Sequence, residues 1–101
     1  MPAQKKLAPI HPGEILAEEL EEIGITMNGF AKALHVPPNR ITAIIKGERG
    51  ITGETALRLA RYFGTSPEMW LNLQSRYELE VARDKFEATV NKEIAPREKA
   101  A

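Results

Sequence analysis

The chain has 101 residues and no cysteine. That absence removes disulfides, thiolate metal sites and thiol nucleophiles together, and agrees with a reducing compartment, the cytoplasm being expected. No apolar run approaches the roughly 18 residues that would span a bilayer, and the first residues show no secretory-signal pattern; no membrane partner is expected. Net charge is missing too, since 14 Lys and Arg balance 14 Asp and Glu. Such a balance argues against indiscriminate coating of nucleic acid but permits a local basic face. The two histidines, His11 and His35, stand 24 positions apart without metal-site spacing. The glycines fall singly and cradle no phosphate, and no nucleophile has a base beside it. Neither a metal, nor a cofactor, nor catalysis is expected.

What remains is an ordinary globular composition, 43% hydrophobic and 28% charged, enough for one domain with a modest core. Charge is unevenly laid out. Residues 10–25 carry five glutamates and no Lys or Arg, whereas residues 38–61 carry Arg40, Lys46, Arg49, Arg58 and Arg61 against Glu48 and Glu54. Glu18, Glu19, Glu21 and Glu22 read as the solvated face of a helix.

No strand pattern, repeat or low-complexity tract interrupts a series of helix signals, so the chain reads as all-α with five helices. The first opens at His11-Pro12-Gly13-Glu14 with Pro12 at the first helical position; Leu16, Leu20 and Ile23 give its buried face, and Gly24 closes it. Thr26 caps a second helix running to Leu34, and His35 falls where a left-handed backbone is expected. Pro38 starts a third, which runs to about Lys46 and ends at Gly47. Thr52 caps a fourth with the stripe Ala56, Leu59, Ala60 and Phe63, closed by Gly64. Ser66-Pro67 opens a fifth and longer one. Residues 1–9, with Lys5 and Lys6, are expected to be a flexible lead, residues 10–90 the domain, and residues 91–101 a flexible tail broken by Pro96.

The fifth helix carries two stripes. Trp70, Leu73, Tyr77 and Val81 would close the core, while Leu79, Ala82, Phe86 and Val90 lie on a nearly opposite face. A small domain needs only one. The surplus stripe is expected to meet another chain, or else to fold back as a hairpin.

The densest information lies in Met27 to Arg49. Phe30, Ala31 and Leu34 give one buried face, Val36 anchors a turn, and Ile41, Ile44 and Ile45 give a second. Between the isoleucines sit Asn39, Arg40, Thr42, Ala43 and Lys46, which a core does not need and which suit a DNA major groove. This is the pattern of a helix-turn-helix. Arg40 is expected at a guanine edge, Asn39 at adenine or phosphate, and Thr42 at a thymine methyl or backbone oxygen, with Ala43 beside them. Lys46 and Arg49 are expected on phosphate, as are Thr26 and Asn28 at the start of the second helix.

Taken together these residues resemble the Cro/repressor (XRE-type) helix-turn-helix proteins, and more closely the HigA-like antitoxins, over about residues 8–83. The discriminating segments are Ile10-His11-Pro12-Gly13-Glu14-Ile15-Leu16 and Arg61-Tyr62-Phe63-Gly64-Thr65-Ser66-Pro67, followed by Trp70-Leu71-Asn72-Leu73-Gln74. The resemblance implies a compact five-helix domain and a homodimer that binds double-stranded operator DNA with an inverted repeat. It also implies a HigB/RelE-type mRNA-cleaving toxin as partner, neutralised by binding, and repression of the shared operon. Asn39, Arg40, Thr42, Ala43 and Lys46 fall on its groove-facing positions, and Trp70 to Leu79 on the stretch that contributes to the dimer. With the surplus stripe this makes Trp70, Leu73, Leu79 and Phe86 the expected dimer residues. His35 departs from the glycine many relatives carry. The alternatives are a stand-alone regulator without a toxin, and an adaptor that no longer reads DNA.

Overall fold

The computed structural model describes residues 8–98, so Lys5 and Lys6 of the expected lead lie outside the described residues. Five helices follow one another: α1 Pro12–Ile23, α2 Met27–Leu34, α3 Pro38–Ile45, α4 Gly53–Phe63 and α5 Pro67–Glu93. Each starts where the sequence supplies a cap or a proline. Thr26, Thr52 and Ser66 accept from the backbone N–H three residues on, and Pro12, Pro38 and Pro67 occupy first-turn positions where a missing N–H costs nothing. His35 takes the left-handed conformation, φ 57° and ψ 46°, and its N–H reaches back to Ala31 and Lys32 carbonyls, turning the chain sharply between α2 and α3.

The core is one cluster. Leu16, Phe30, Ala31, Ile41, Ile44, Ala56 and Leu59 are completely buried, and Leu20, Leu34, Ile51 and Trp70 nearly so. Each large side chain among these contributes about 1.5–3 kcal/mol on leaving water. Phe63 joins Phe30 to Trp70, its ring 5.6 Å from one and 5.8 Å from the other. Trp70 also donates its indole N–H to the Thr65 hydroxyl at 3.2 Å, so a buried polar atom is satisfied.

Two expectations fail here. Ile23 is 48% exposed, although Leu16 and Leu20 are buried beneath the same face. As the last residue of α1 it overhangs the end of the core, and Ile25 packs there in its place. Trp70 was expected at the dimer, but at 1% exposure its whole surface is consumed inside one chain. Leu73, expected beside it, is half-buried against the same core.

The opening His11-Pro12-Gly13-Glu14 has a physical explanation. His11 Nδ1 accepts the Gly13 N–H at 2.9 Å while Glu14 accepts the His11 N–H at 3.1 Å, a reciprocal cap. A Cβ on Gly13 would collide with the Ile44 carbonyl. Only glycine lets the first turn of α1 lie directly on the end of α3.

Beyond Val81 and Ala82 every residue of α5 is exposed. The radius of gyration, 17.7 Å, exceeds the roughly 13 Å of a compact chain of this length because α5 projects as a free arm. It does not fold back. The helix also runs to Glu93, past the boundary expected at residue 90; the last bond is Ile94 N–H to Val90 carbonyl, ahead of Pro96.

Candidate nucleic-acid interface

The third helix presents two faces. Ile41 and Ile44 are completely buried and fasten α3 to the core. At 100° per residue, Asn39, Thr42, Ala43 and Lys46 fall together on the opposite side. Asn39 and Lys46 are exposed, while Thr42 and Ala43 are half-buried. Arg49 follows in the exposed loop. Small residues at the centre of this face, with a cation at its end, form a surface that can approach a groove closely and still find phosphate.

Arg40 is oriented differently from the sequence expectation. It lies about 100° round the helix from Asn39, on the flank between groove face and core. Its guanidinium bonds Glu54 of α4 at 3.0 Å, and the side chain is only 20% exposed. Glu54 meanwhile accepts from Arg58 at 3.2 Å, and Arg58 reaches across to the Leu34 carbonyl at 2.9 Å. Arg58, with Arg40 behind it, holds the Glu54 carboxyl below its ordinary range. The three side chains brace the end of α2 and the start of α3 against α4. A base contact by Arg40 requires it to leave Glu54.

The remaining expected residues divide by what already occupies them. Thr26 spends its hydroxyl on the Gly29 N–H at 3.0 Å, capping α2, while Asn28 beside it is exposed. Thr42 donates to the Pro38 carbonyl at 3.2 Å. The Ala43 carbonyl accepts from both Glu48 and Arg49 N–H, folding the loop back onto α3.

Two functional side chains escaped the sequence reading. His11 is buried, and its ring meets Tyr77 of α5 edge-on at 4.8 Å. Burial lowers its pKa, against a smaller opposing pull from Glu14. The signal available was Glu14 three residues on, the second half of a capping box. Gln74 is buried too, and its Oε1 accepts the Ile51 N–H at 2.8 Å. A polar residue four positions after Trp70, on the core stripe, was the visible hint.

Leu79, Phe86 and Val90 expose 51%, 57% and 45% of their surface along one side of α5, and Ile94, just past its end, exposes 63%. Among the described residues no helix is long and apolar enough to cross a membrane, and no group of three His, Cys, Asp or Glu could hold a metal.

A helix-turn-helix family model matches residues 16–70. Virulence-associated protein I of Dichelobacter nodosus is 54% identical over 84 residues, covering 81% of this chain and 78% of that protein. An addiction module antidote protein of the HigA family from Coxiella burnetii superposes with a TM-score of 0.88 at 52% identity, covering 90% of this chain and 100% of that one. The Pseudomonas aeruginosa antitoxin HigA, solved with the higBA promoter, gives 0.85 at 44% identity over 87% of this chain and 97% of its own. The chain belongs to the XRE-type helix-turn-helix family, among its HigA-like antitoxins.

Proposed function

We propose that this protein is the antitoxin of a type II toxin–antitoxin module: a cytoplasmic homodimer that binds an inverted-repeat operator, represses its own operon and neutralises an mRNA-cleaving toxin of the HigB/RelE type. The observation that carries the DNA-binding half is the outward face of α3. Asn39, Thr42, Ala43 and Lys46 share one side, with the core isoleucines on the other. Asn39 and Thr42 reach base edges or their flanking phosphates, and Ala43 permits close approach. Lys46 and Arg49, with the α2 start at Thr26 and Asn28, hold phosphate. Arg40 joins them only by exchanging Glu54 for DNA. A relative solved on promoter DNA supports this reading.

The arm supports dimerisation. Leu79 and Phe86 lie on an apolar strip that the single chain leaves in water, and a second copy covers it. Leu73 and Trp70 belong to the core and are left out of this strip. A twofold dimer places two α3 helices about 34 Å apart, one DNA turn.

Co-expression with the genomic neighbours, followed by pull-down at mild salt, tests the antitoxin half. Stoichiometric recovery of a small protein that arrests growth when expressed alone is expected. Recovery of the homodimer alone would make the protein a stand-alone regulator.

A further inference from the structure

The loop that leaves the recognition helix is held at both ends. At its start Glu48 and Arg49 N–H groups bond the Ala43 carbonyl at 2.9 and 3.2 Å. At its end the Ile51 N–H bonds Gln74 Oε1 at 2.8 Å, a buried contact across 23 residues of sequence. The Gln74 amide has one orientation available: its Nε2 donates to the Glu78 carboxylate at 2.8 Å, leaving the oxygen for Ile51. Gly50 lies against this amide so closely that a Cβ would come within 2.7 Å of Nε2 and 2.9 Å of Oε1. Its φ is not in the left-handed region, so the amide and not the backbone angle is what requires glycine there.

We propose that Gln74 is a positioning residue for DNA binding: one buried amide on α5 sets the height of the Gly47–Ile51 loop, and so delivers Arg49 to a phosphate in register with the face of α3. The inference rests on the DNA-binding reading above and adds to it. Gln74 occupies the helix that carries the dimer strip, with Glu78 next to Leu79. The loop is therefore anchored to the dimer arm as well as to α3. In a twofold dimer the distance between the two Arg49 side chains is set through the two Gln74 amides.

The test uses the full-length protein and a duplex from upstream of its own gene, titrated with salt. Gln74→Leu keeps the volume and loses both hydrogen bonds. It is expected to stay dimeric and cooperatively folded, to bind at least tenfold more weakly, and to lose about one phosphate contact per protomer, so that the slope of log K against log salt falls by about two per dimer. Arg49→Ala in the Gln74→Leu background should then cost little more. Gly50→Ala should weaken binding in the native background and cost much less beside Gln74→Ala, which opens the space its methyl needs.

An unchanged salt slope, or a Gly50→Ala cost equal in the two backgrounds, would overturn the inference. Exchange of the Ile51 amide proton, measured without DNA, gives an independent arm: it should quicken in Gln74→Leu, and native protection there would equally refute the clamp. Should the native protein fail to bind any upstream duplex, it is the DNA-binding reading that fails, and this shows in the wild-type arm alone.

Discussion

The head of this molecule and its arm obey different economies. Around Phe30, Ile41, Ile44, Leu59 and Trp70 the apolar side chains are sealed inside one chain. On α5 Leu79, Phe86 and Val90, with Ile94 just past its end, stand in water, and the helix relies on local support. That support is thin. Arg76–Glu80 and Arg83–Glu87 are exposed pairs four residues apart, at 3.1 and 3.7 Å, each contributing about 0.3–0.5 kcal/mol. The head's core is complete within one chain. The arm has no internal reason to remain apolar, which is why a second copy is the reading we favour for it.

That contrast can be broken first at its strongest point. Trp70→Ala should destabilise the head by about 3–5 kcal/mol, as expected for a fully buried aromatic, whereas Phe86→Ala should leave the stability of the dilute monomer within about 0.5 kcal/mol. Urea denaturation followed by circular dichroism separates the two. Equal losses would show that the arm is part of the head's core.

Charging the strip comes next. Leu79→Glu with Phe86→Glu should dissociate the dimer in sedimentation, weakening association by about 2–3 kcal/mol or more, with the helical spectrum of the head retained. A dimer that survives both charges would move the interface elsewhere.

Smaller effects sharpen the head itself. Thr52→Ala removes the hydroxyl that caps α4 and should cost about 1 kcal/mol in the same denaturation assay. No loss would mean that water replaces the cap without penalty.

The pH response should be smaller still and has a fixed sign. Burial lowers the His11 pKa in the folded chain from its ordinary 6.5, so the unfolded chain takes up the proton first. Stability contributed by neutral His11 is complete above pH 6.5 and declines as pH falls below that toward the lowered value, because a protonated Nδ1 cannot accept the Gly13 N–H. His11→Asn retains a capping acceptor without a titrating ring and should flatten this decline in thermal melts. An unaltered slope would assign it to other groups.

How much of this was legible in the residues depends on the range of the interaction. Helix starts at Thr26, Thr52, Ser66 and Pro38 and the turn at His35 are local matters of caps, prolines and one backbone angle, and they stand where the pattern puts them. The α3 faces followed from periodicity alone. The Arg40–Glu54 pair was not legible, because periodicity places a residue on a flank without saying which partner lies across it; Glu54 is 14 residues away. Gln74 was hidden for the same reason, since an amide bond over 23 residues has no composition signature, whereas the His11 cap is local and its signal, Glu14 three residues on, was present. Ile23 shows the other limit, as a helical stripe continues past the point where the core stops.

The account turns on α3 as a DNA-reading helix presented twice by a dimer. Hydroxyl-radical footprinting of the protein on the DNA upstream of its own gene tests this most directly. The account predicts two protected half-sites of inverted sequence, their centres about one helical turn apart, with protection lost on Lys46→Ala at moderate salt. No protected site at saturating protein, or a single unrepeated half-site, would contradict it.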